Sequence, residues 1–136
     1  MSRITITHFS DILCVWAYIS EIRIDQLETE FGEQIKLDFR LLPVFGNVEG
    51  KMASQWQAKG GLIAYQQHVL EVASQFNHLS LNPKVWLDNT PTSSLPAHLY
   101  LSAVRLIEQE GTAPEGAFAR FKKTLRHAFF SELQDV

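Results

Sequence analysis

The feature that most restricts the fold of this chain is a strand–helix–strand pattern at its beginning. Residues 3–9 (RITITHF) alternate isoleucine with threonine, and residues 35–42 (IKLDFRLL) alternate apolar with charged side chains, so both segments are typical of strands. Between them, residues 14–31 carry apolar side chains at helical spacing. Such a unit predicts two parallel strands joined by a right-handed crossover.

The sequence shows no third strand. Residues 43–61 are rich in glycine and proline, with a short helical turn expected around residues 53–57, and residues 81–94 form a second irregular segment. Two parallel strands do not make a stable sheet on their own, because three or more with a covered face are normally needed. We therefore expect a fragment of a longer protein, with strands supplied by a partner as the alternative.

The remaining apolar positions recur at helical spacing. They predict one helix from residue 62 and another over residues 96–110. Thr112 and Glu115 have the spacing of a capping box, which predicts the start of a last helix. Gly32 stands where the first helix would take a left-handed C-terminal cap.

Composition and charge limit the function. With 136 residues, 46% of them hydrophobic and 20% charged, the chain can form one domain with a core. A net charge of −3 does not suit a nucleic acid partner, and no apolar run approaches the ~18 residues of a membrane span. A single cysteine forms no internal disulfide, and the N-terminal residues do not read as an apolar signal segment. We expect a cytoplasmic protein that binds neither nucleic acid nor membranes.

The densest group of basic residues lies near the C-terminal end and falls on the polar side of an amphipathic pattern. This placement predicts a solvated helix face rather than a binding patch. The residues are Arg120, Lys122, Lys123 and Arg126.

The single cysteine, Cys14, lies where the first strand ends and the first helix begins. Open α/β sheets place their active sites at this edge, and the partial positive charge of a helix N-terminus stabilises a thiolate. A lone cysteine is also often a small buried apolar residue, and its neighbours Leu13, Val15 and Trp16 would suit burial. Position alone leaves both interpretations open.

Several segments resemble DsbA-like proteins of the thioredoxin superfamily, above all the branch of FrnE-type oxidoreductases, 2-hydroxychromene-2-carboxylate isomerases and kappa-class glutathione transferases. These segments are FSDILCVWAYISEIRIDQLETEFG, IKLDFRLLPVFGN, SSLPAHLYLSAVRLIEQEG and LRHAFFSELQDV. The resemblance implies a partial thioredoxin-like α/β fold. Residues 1–45 would form its N-terminal β–α–β half and residues 46–136 an all-helical insertion domain, with the C-terminal part of the family fold absent.

The motif that carries the resemblance departs from the family pattern in two places. The oxidoreductases typically read Asp-x-x-Cys-Pro-Trp-Cys-Tyr, and the matching residues here are Asp11, Cys14, Val15, Trp16, Ala17 and Tyr18. Val15 replaces the proline and Ala17 replaces the second cysteine. The second thiol resolves the mixed disulfide in a dithiol enzyme, so the resemblance leaves monothiol chemistry, with Cys14 as nucleophile.

The resemblance implies three functions. The favoured one is a monothiol, glutathione-linked thiol–disulfide oxidoreductase acting on disulfide-containing peptides, with glutathione as co-substrate and no permanently bound cofactor. The second is a glutathione transferase or isomerase of the kappa type, in which Cys14 would hold the thiolate of bound glutathione for a small electrophile. The third is a catalytically silent binding module. A homodimer is left open.

Other candidates have a structural interpretation beside the functional one. Asp11 could contact substrate or cap the turn into the helix, and His98 could lie near the substrate or pack its helix. Trp16 is expected to form an exposed rim beside the thiol, with Val15 and Ala17 next to it as further substrate-binding candidates.

The remaining histidines predict no metal site, because they share no ligand spacing with Cys14 or with each other. We expect His8 to be packed and hydrogen-bonded on the core side of the first strand. Gly46 and Asn47 are expected to form an ordinary turn rather than a glutathione-binding loop.

Overall fold

A computed structural model describes residues 2–136 of the chain. Within them lie two strands and five α-helices, with one short 3-10 turn at Gln57–Lys59. The elements are β1 (Ile4–Ser10), α1 (Val15–Phe31), β2 (Ile35–Leu41), α2 (Val48–Gln55), α3 (Gly61–Ser74), α4 (Leu95–Gln109) and α5 (Ala117–Phe130). None of the helices in this range is both long and apolar enough to cross a membrane.

The predicted β–α–β unit is confirmed. β1 and β2 pair in parallel, from Ile4 opposite Ile35 to Ser10 opposite Leu41. Alternation places His8 and Phe39 on the half-buried face of this sheet, whereas Thr7 is exposed on the other face. The turn that precedes α1 therefore follows directly after the carboxyl end of β1.

The helices agree with the periodicity except in the first irregular segment. There α2 begins five residues before the expected turn around residues 53–57, at Val48. Its start is capped by Asn47, whose side chain accepts a hydrogen bond from the Gly50 amide. The predicted turn at Gly46 and Asn47 is therefore confirmed as the entry to a helix.

Two of the predicted helix ends are wrong. Gly32 has φ −49°, in the right-handed region, because the chain passes straight into a turn in which the Gln34 amide donates to Phe31. At α5 the capping box does not form, and the helix begins after Gly116, whose φ is 81°. The cap comes instead from α4, where the Glu108 carboxylate accepts the amides of Gly116 and Phe118, both at 2.7 Å.

One continuous core contains side chains from both sides of residue 45. Trp86, fully buried in the second irregular segment, lies at its centre. The rings of Phe45, Tyr65 and Phe129 surround it at centroid distances of 5.1, 5.0 and 5.3 Å. The division into domains at residue 45 stays a prediction.

The prediction of a solvated basic face on α5 is wrong for two of its four residues. Lys122 and Arg126 are only 4% and 1% exposed, because their side chains lie against the half-buried face of the sheet and against α1. Arg126 pairs with Glu21 of α1 at 2.8 Å, and the Lys122 ammonium lies 3.3 Å above the ring of Phe39. Arg120 and Lys123 are exposed as expected.

Candidate active site around Cys14

Cys14 is the N-cap residue of α1, with extended backbone angles (φ −81°, ψ 119°), and its side chain is half-buried. Among the described residues, no side chain caps this helix start. The first amides of a helix have no partner within the helix. Those of Val15, Trp16 and Ala17 can therefore donate hydrogen bonds to a negatively charged thiolate at Cys14. The predicted position of Cys14, at the end of a strand and the start of a helix, is confirmed; its catalytic role stays a prediction.

The turn that leads into Cys14 is held by hydrogen bonds at three consecutive amides. The Ile12 amide donates to His98 Nε2 at 3.1 Å, and the Leu13 amide donates to Asp11 Oδ1 at 2.9 Å. The Cys14 amide donates to the Asp11 carbonyl at 3.2 Å. Side chains and backbone thus fix this turn before the helix begins.

Asp11 is 1% exposed, and its carboxylate accepts hydrogen bonds from three groups of the protein. In addition to the Leu13 amide, it accepts the Phe45 amide at 2.9 Å and the Ser94 hydroxyl at 2.7 Å. Burial raises the pKa of this carboxyl, but the hydrogen bonds that it accepts from the Leu13 and Phe45 amides and the Ser94 hydroxyl oppose this effect, and the pKa lies below its ordinary value. The predicted capping of the turn by Asp11 is confirmed, and its contact with substrate stays a prediction.

His98 is 6% exposed and faces this turn from α4. Because Nε2 accepts the Ile12 amide, the ring is neutral and carries its proton on Nδ1, which is buried without a partner in the described part of the chain. Nε2 also lies 3.5 Å from Asp11 Oδ1. That distance is longer than a normal N–H···O bond, and one nitrogen cannot both accept and donate, so the Ile12 bond defines the tautomer.

Two further residues support the turn and were missed by sequence reasoning. Arg126 donates to the Asp11 carbonyl at 3.3 Å and to the Ser10 hydroxyl at 3.0 Å. The Ser94 hydroxyl donates to Asp11, whereas the Ser93 hydroxyl accepts the first α4 amide. No local pattern predicts these roles, since each joins segments far apart in the chain.

The other predicted substrate-binding residues differ in exposure. Val15 and Ala17 are buried, at 4% and 5% exposed, whereas Trp16 is 53% exposed. The Trp16 ring meets Phe76 edge to face at 6.2 Å and lines an open groove of about 710 Å³ between α1 and the segment after α3. The structure therefore brings Asp11, Cys14 and His98 together and leaves Trp16 as the exposed aromatic beside them.

His8 packs as expected on the core side of β1, edge to face with Phe39 at 5.9 Å. The expected hydrogen bond is not found: Nδ1 is buried without a partner among residues 2–136. Burial, reinforced by the positive charges of Lys122 and Arg126, lowers the pKa of His8 and favours the neutral ring. In the same described range, no three His, Cys, Asp or Glu side chains group as metal ligands.

Comparison with known proteins bears on the fold. No family model and no curated protein matches the sequence. A solved structure described as a "putative protein disulfide isomerase" from Nitrosomonas europaea is similar, with a TM-score of 0.63 and 16% identity over 98% of this chain and 58% of that one. The cytosolic disulfide reductase DsbM from Pseudomonas aeruginosa has a TM-score of 0.57 and 18% identity over 96% of this chain and 57% of its own.

The chain thus spans less than three fifths of the length of either neighbour. At these identities the likeness establishes architecture, and the matched architecture includes the β–α–β unit that carries Cys14. The chain is an α/β protein whose thioredoxin-like fold is shared with these two structures.

Proposed function

We propose that this protein catalyses thiol–disulfide exchange through Cys14 as a monothiol, with glutathione completing the cycle. The observation that carries the proposal is the half-buried thiol at the N-cap of α1, next to amides that no described side chain caps. The names of the two structural neighbours, a disulfide isomerase and a disulfide reductase, support the same chemistry.

The proposed cycle has two exchange steps and needs one cysteine. The Cys14 thiolate attacks the glutathione sulfur of a glutathionylated peptide, forming a Cys14–glutathione disulfide and releasing the peptide thiol, which takes up a proton. The thiolate of a free glutathione then attacks the glutathione sulfur of this mixed disulfide. Oxidised glutathione leaves and Cys14 is regenerated, so the peptide disulfide is reduced and glutathione is oxidised.

Ala17 is the reason for proposing glutathione rather than an internal thiol. It occupies the third position of α1, where a second cysteine would resolve the mixed disulfide, and the sequence contains no other cysteine. A small external thiol must then perform the second step.

For the substrate we propose a disulfide-containing peptide that contacts the exposed Trp16 ring. Val15 and Ala17 would contribute backbone amides of the helix start rather than their buried side chains. The proposed compartment is the cytoplasm, where reduced thiols are maintained, in keeping with the cytosolic DsbM neighbour.

The test follows the formation of oxidised glutathione from a glutathionylated peptide and free glutathione, and the release of peptide thiol and reduced glutathione when no glutathione is added. We expect activity in the wild type only with added glutathione, and Cys14→Ser should fall to the uncatalysed rate. In Ala17→Cys the introduced thiol should displace glutathione from Cys14 as reduced glutathione, which leaves an internal disulfide, so one equivalent each of peptide thiol and reduced glutathione should appear without added glutathione. A folded Cys14→Ser protein that keeps the activity would overturn the proposal.

The same variants separate the transferase alternative. A serine hydroxyl can still donate a hydrogen bond to the thiolate of bound glutathione. Conjugation of glutathione to a small electrophile that survives in Cys14→Ser, without any reduction of the glutathionylated peptide in the wild type, would favour the transferase.

A further inference from the structure

The turn from Asp11 to Cys14 depends on one side chain from a distant element for its first amide. The amides of Leu13 and Cys14 are both held by Asp11 itself, through its carboxylate and its carbonyl. The Ile12 amide is held by His98 of α4, which lies 86 residues further along the chain. Ile12 is fully buried, so no water can replace this acceptor without opening the core.

We infer that His98 is a positioning residue for Cys14, acting through the Ile12 amide. With the Ile12 bond in place, the turn presents the Cys14 side chain at the amides of the first turn of α1. Without it, a buried amide two residues before the thiol is left unpaired, which favours a rearranged turn. The inference rests on the proposed function of Cys14 and goes beyond it, because it gives His98 a role through the backbone of the turn rather than through contact with substrate.

The acceptor role requires the neutral ring. A protonated His98 has no lone pair for the Ile12 amide. Its Nε2–H could turn only to Asp11 Oδ1, 3.5 Å away, which already accepts from Leu13. A proton on Nε2 of His98 would therefore remove the Ile12 hydrogen bond, and this N–H would compete with the Leu13 amide for Asp11 Oδ1.

The charged and titratable groups around His98 come from three elements besides α4. The Asp11 carboxylate faces it from the turn after β1, and the Arg126 guanidinium of α5 binds the Asp11 carbonyl. Tyr65 of α3 is close enough to Asp11 and Cys14 for their negative charges to add to burial in raising its pKa. Tyr65 thus stays neutral at physiological pH, and Asp11, Arg126 and the thiol are the charges to consider.

Two substitutions distinguish the hydrogen-bond acceptor of His98 from the volume that its side chain fills. His98→Gln places a carbonyl oxygen near the position of Nε2 and cannot be protonated, whereas His98→Leu fills the space without an acceptor. The readout is the rate at which iodoacetamide alkylates Cys14, followed from about pH 5 to about pH 8, the range in which histidine changes charge. Circular dichroism verifies folding, and the exposed His127→Gln is the matched control.

At neutral pH we expect His98→Leu to react on the order of ten-fold more slowly than the wild type, and His98→Gln to stay within about two-fold of it. Any fall in the ratio of wild-type to His98→Gln rates towards acid reports a proton on the ring, because the glutamine side chain takes up none in this range. His127→Gln should follow the wild type throughout.

A folded His98→Leu protein that reacts as fast as the wild type would overturn the inference, as would a His98→Gln protein that reacts as slowly as His98→Leu. If His98→Leu does not fold, His98→Met takes its place, because methionine also lacks a strong acceptor, and a folded His98→Met protein that reacts as fast as the wild type contradicts the inference. Alkylation needs neither glutathione nor a disulfide substrate, so a failure of the proposed enzymatic activity would leave this result readable.

Discussion

Two buried cations on α5, Arg126 and Lys122, are accommodated in different ways because a guanidinium and an ammonium differ in shape and in hydrogen bonding. Arg126 spreads its donors over Glu21, the Ser10 hydroxyl and the Asp11 carbonyl, which suits the planar fork of a guanidinium. Lys122 carries a compact ammonium that lies on the Phe39 ring. Burial, with a smaller contribution from Arg126, lowers the pKa of Lys122 from 10.5 to about 8.

This difference predicts that Lys122→Met stabilises the protein at pH 7, by on the order of 1–3 kcal/mol, since the lost contact with Phe39 offsets part of the relieved burial. The pKa of Lys122 is about 8 in the folded chain against 10.5 as the ordinary value, so the unfolded chain binds more protons between these two pH values. Wild-type stability should therefore rise with pH across that window. Urea denaturation of both proteins at several pH values measures the gap, which should close towards pH 10.5.

The exposed neighbour Lys123→Met keeps Lys122 and is the control, so its stability should rise with pH as that of the wild type does. A Lys122→Met protein that is less stable than the wild type at every pH would contradict this account of the buried ammonium.

At the scale of elements, the helices follow the apolar periodicity, but their ends do not follow local capping rules. α5 begins where Glu108 of the preceding helix reaches two of its first amides. The bond from Phe118, followed by that from Gly116, lowers the pKa of the Glu108 carboxyl. A carboxylate at a helix N-terminus is also favoured by the helix dipole.

Glu108→Ala should therefore destabilise the protein by about 1 kcal/mol, the usual value of an N-terminal cap. Because the pKa of Glu108 is lowered by folding, its contribution is complete above the ordinary value of 4.5 and is lost as the pH falls through the folded value. Thermal unfolding of the variant and the wild type should therefore converge in acid. Glu110→Ala, one residue past the end of α4, should leave stability unchanged, and an equal loss in both variants would argue against the cap.

At the scale of the whole molecule, the β–α–β unit and the helices share one core. Ile12, Leu13 and Val15 from the first 45 residues lie in the same cluster as Trp86 and Phe129. A shared core of this kind favours unfolding as one unit, even though the sequence resemblance divides the chain at residue 45.

Trp86→Leu tests the unity of this core. We expect a loss of about 3 kcal/mol, because the leucine leaves a cavity among large aromatic rings. In the wild type, hydrogen exchange should give α1 and α3 the same free energy of global opening, and the substitution should lower both equally. A loss confined to α3, or two separate unfolding transitions, would instead support two independent domains.

The sequence by itself determined the local elements and the place of the thiol. Alternation over residues 3–9 and 35–42 encodes two strands, and the helical spacing between them makes the pair parallel, so Cys14 must stand at the sheet edge where α1 begins. These properties depend on neighbours along the chain, where periodicity is directly visible.

Only the tertiary structure decided what surrounds that thiol. His98 and Arg126 reach the turn before Cys14 from 86 and 115 residues away, and Glu108 caps a helix other than its own. A polar side chain taken out of water must find a partner wherever the packing brings one. That partner is chosen by the approach of α4 and α5 to the turn in space, which periodicity along one segment does not describe.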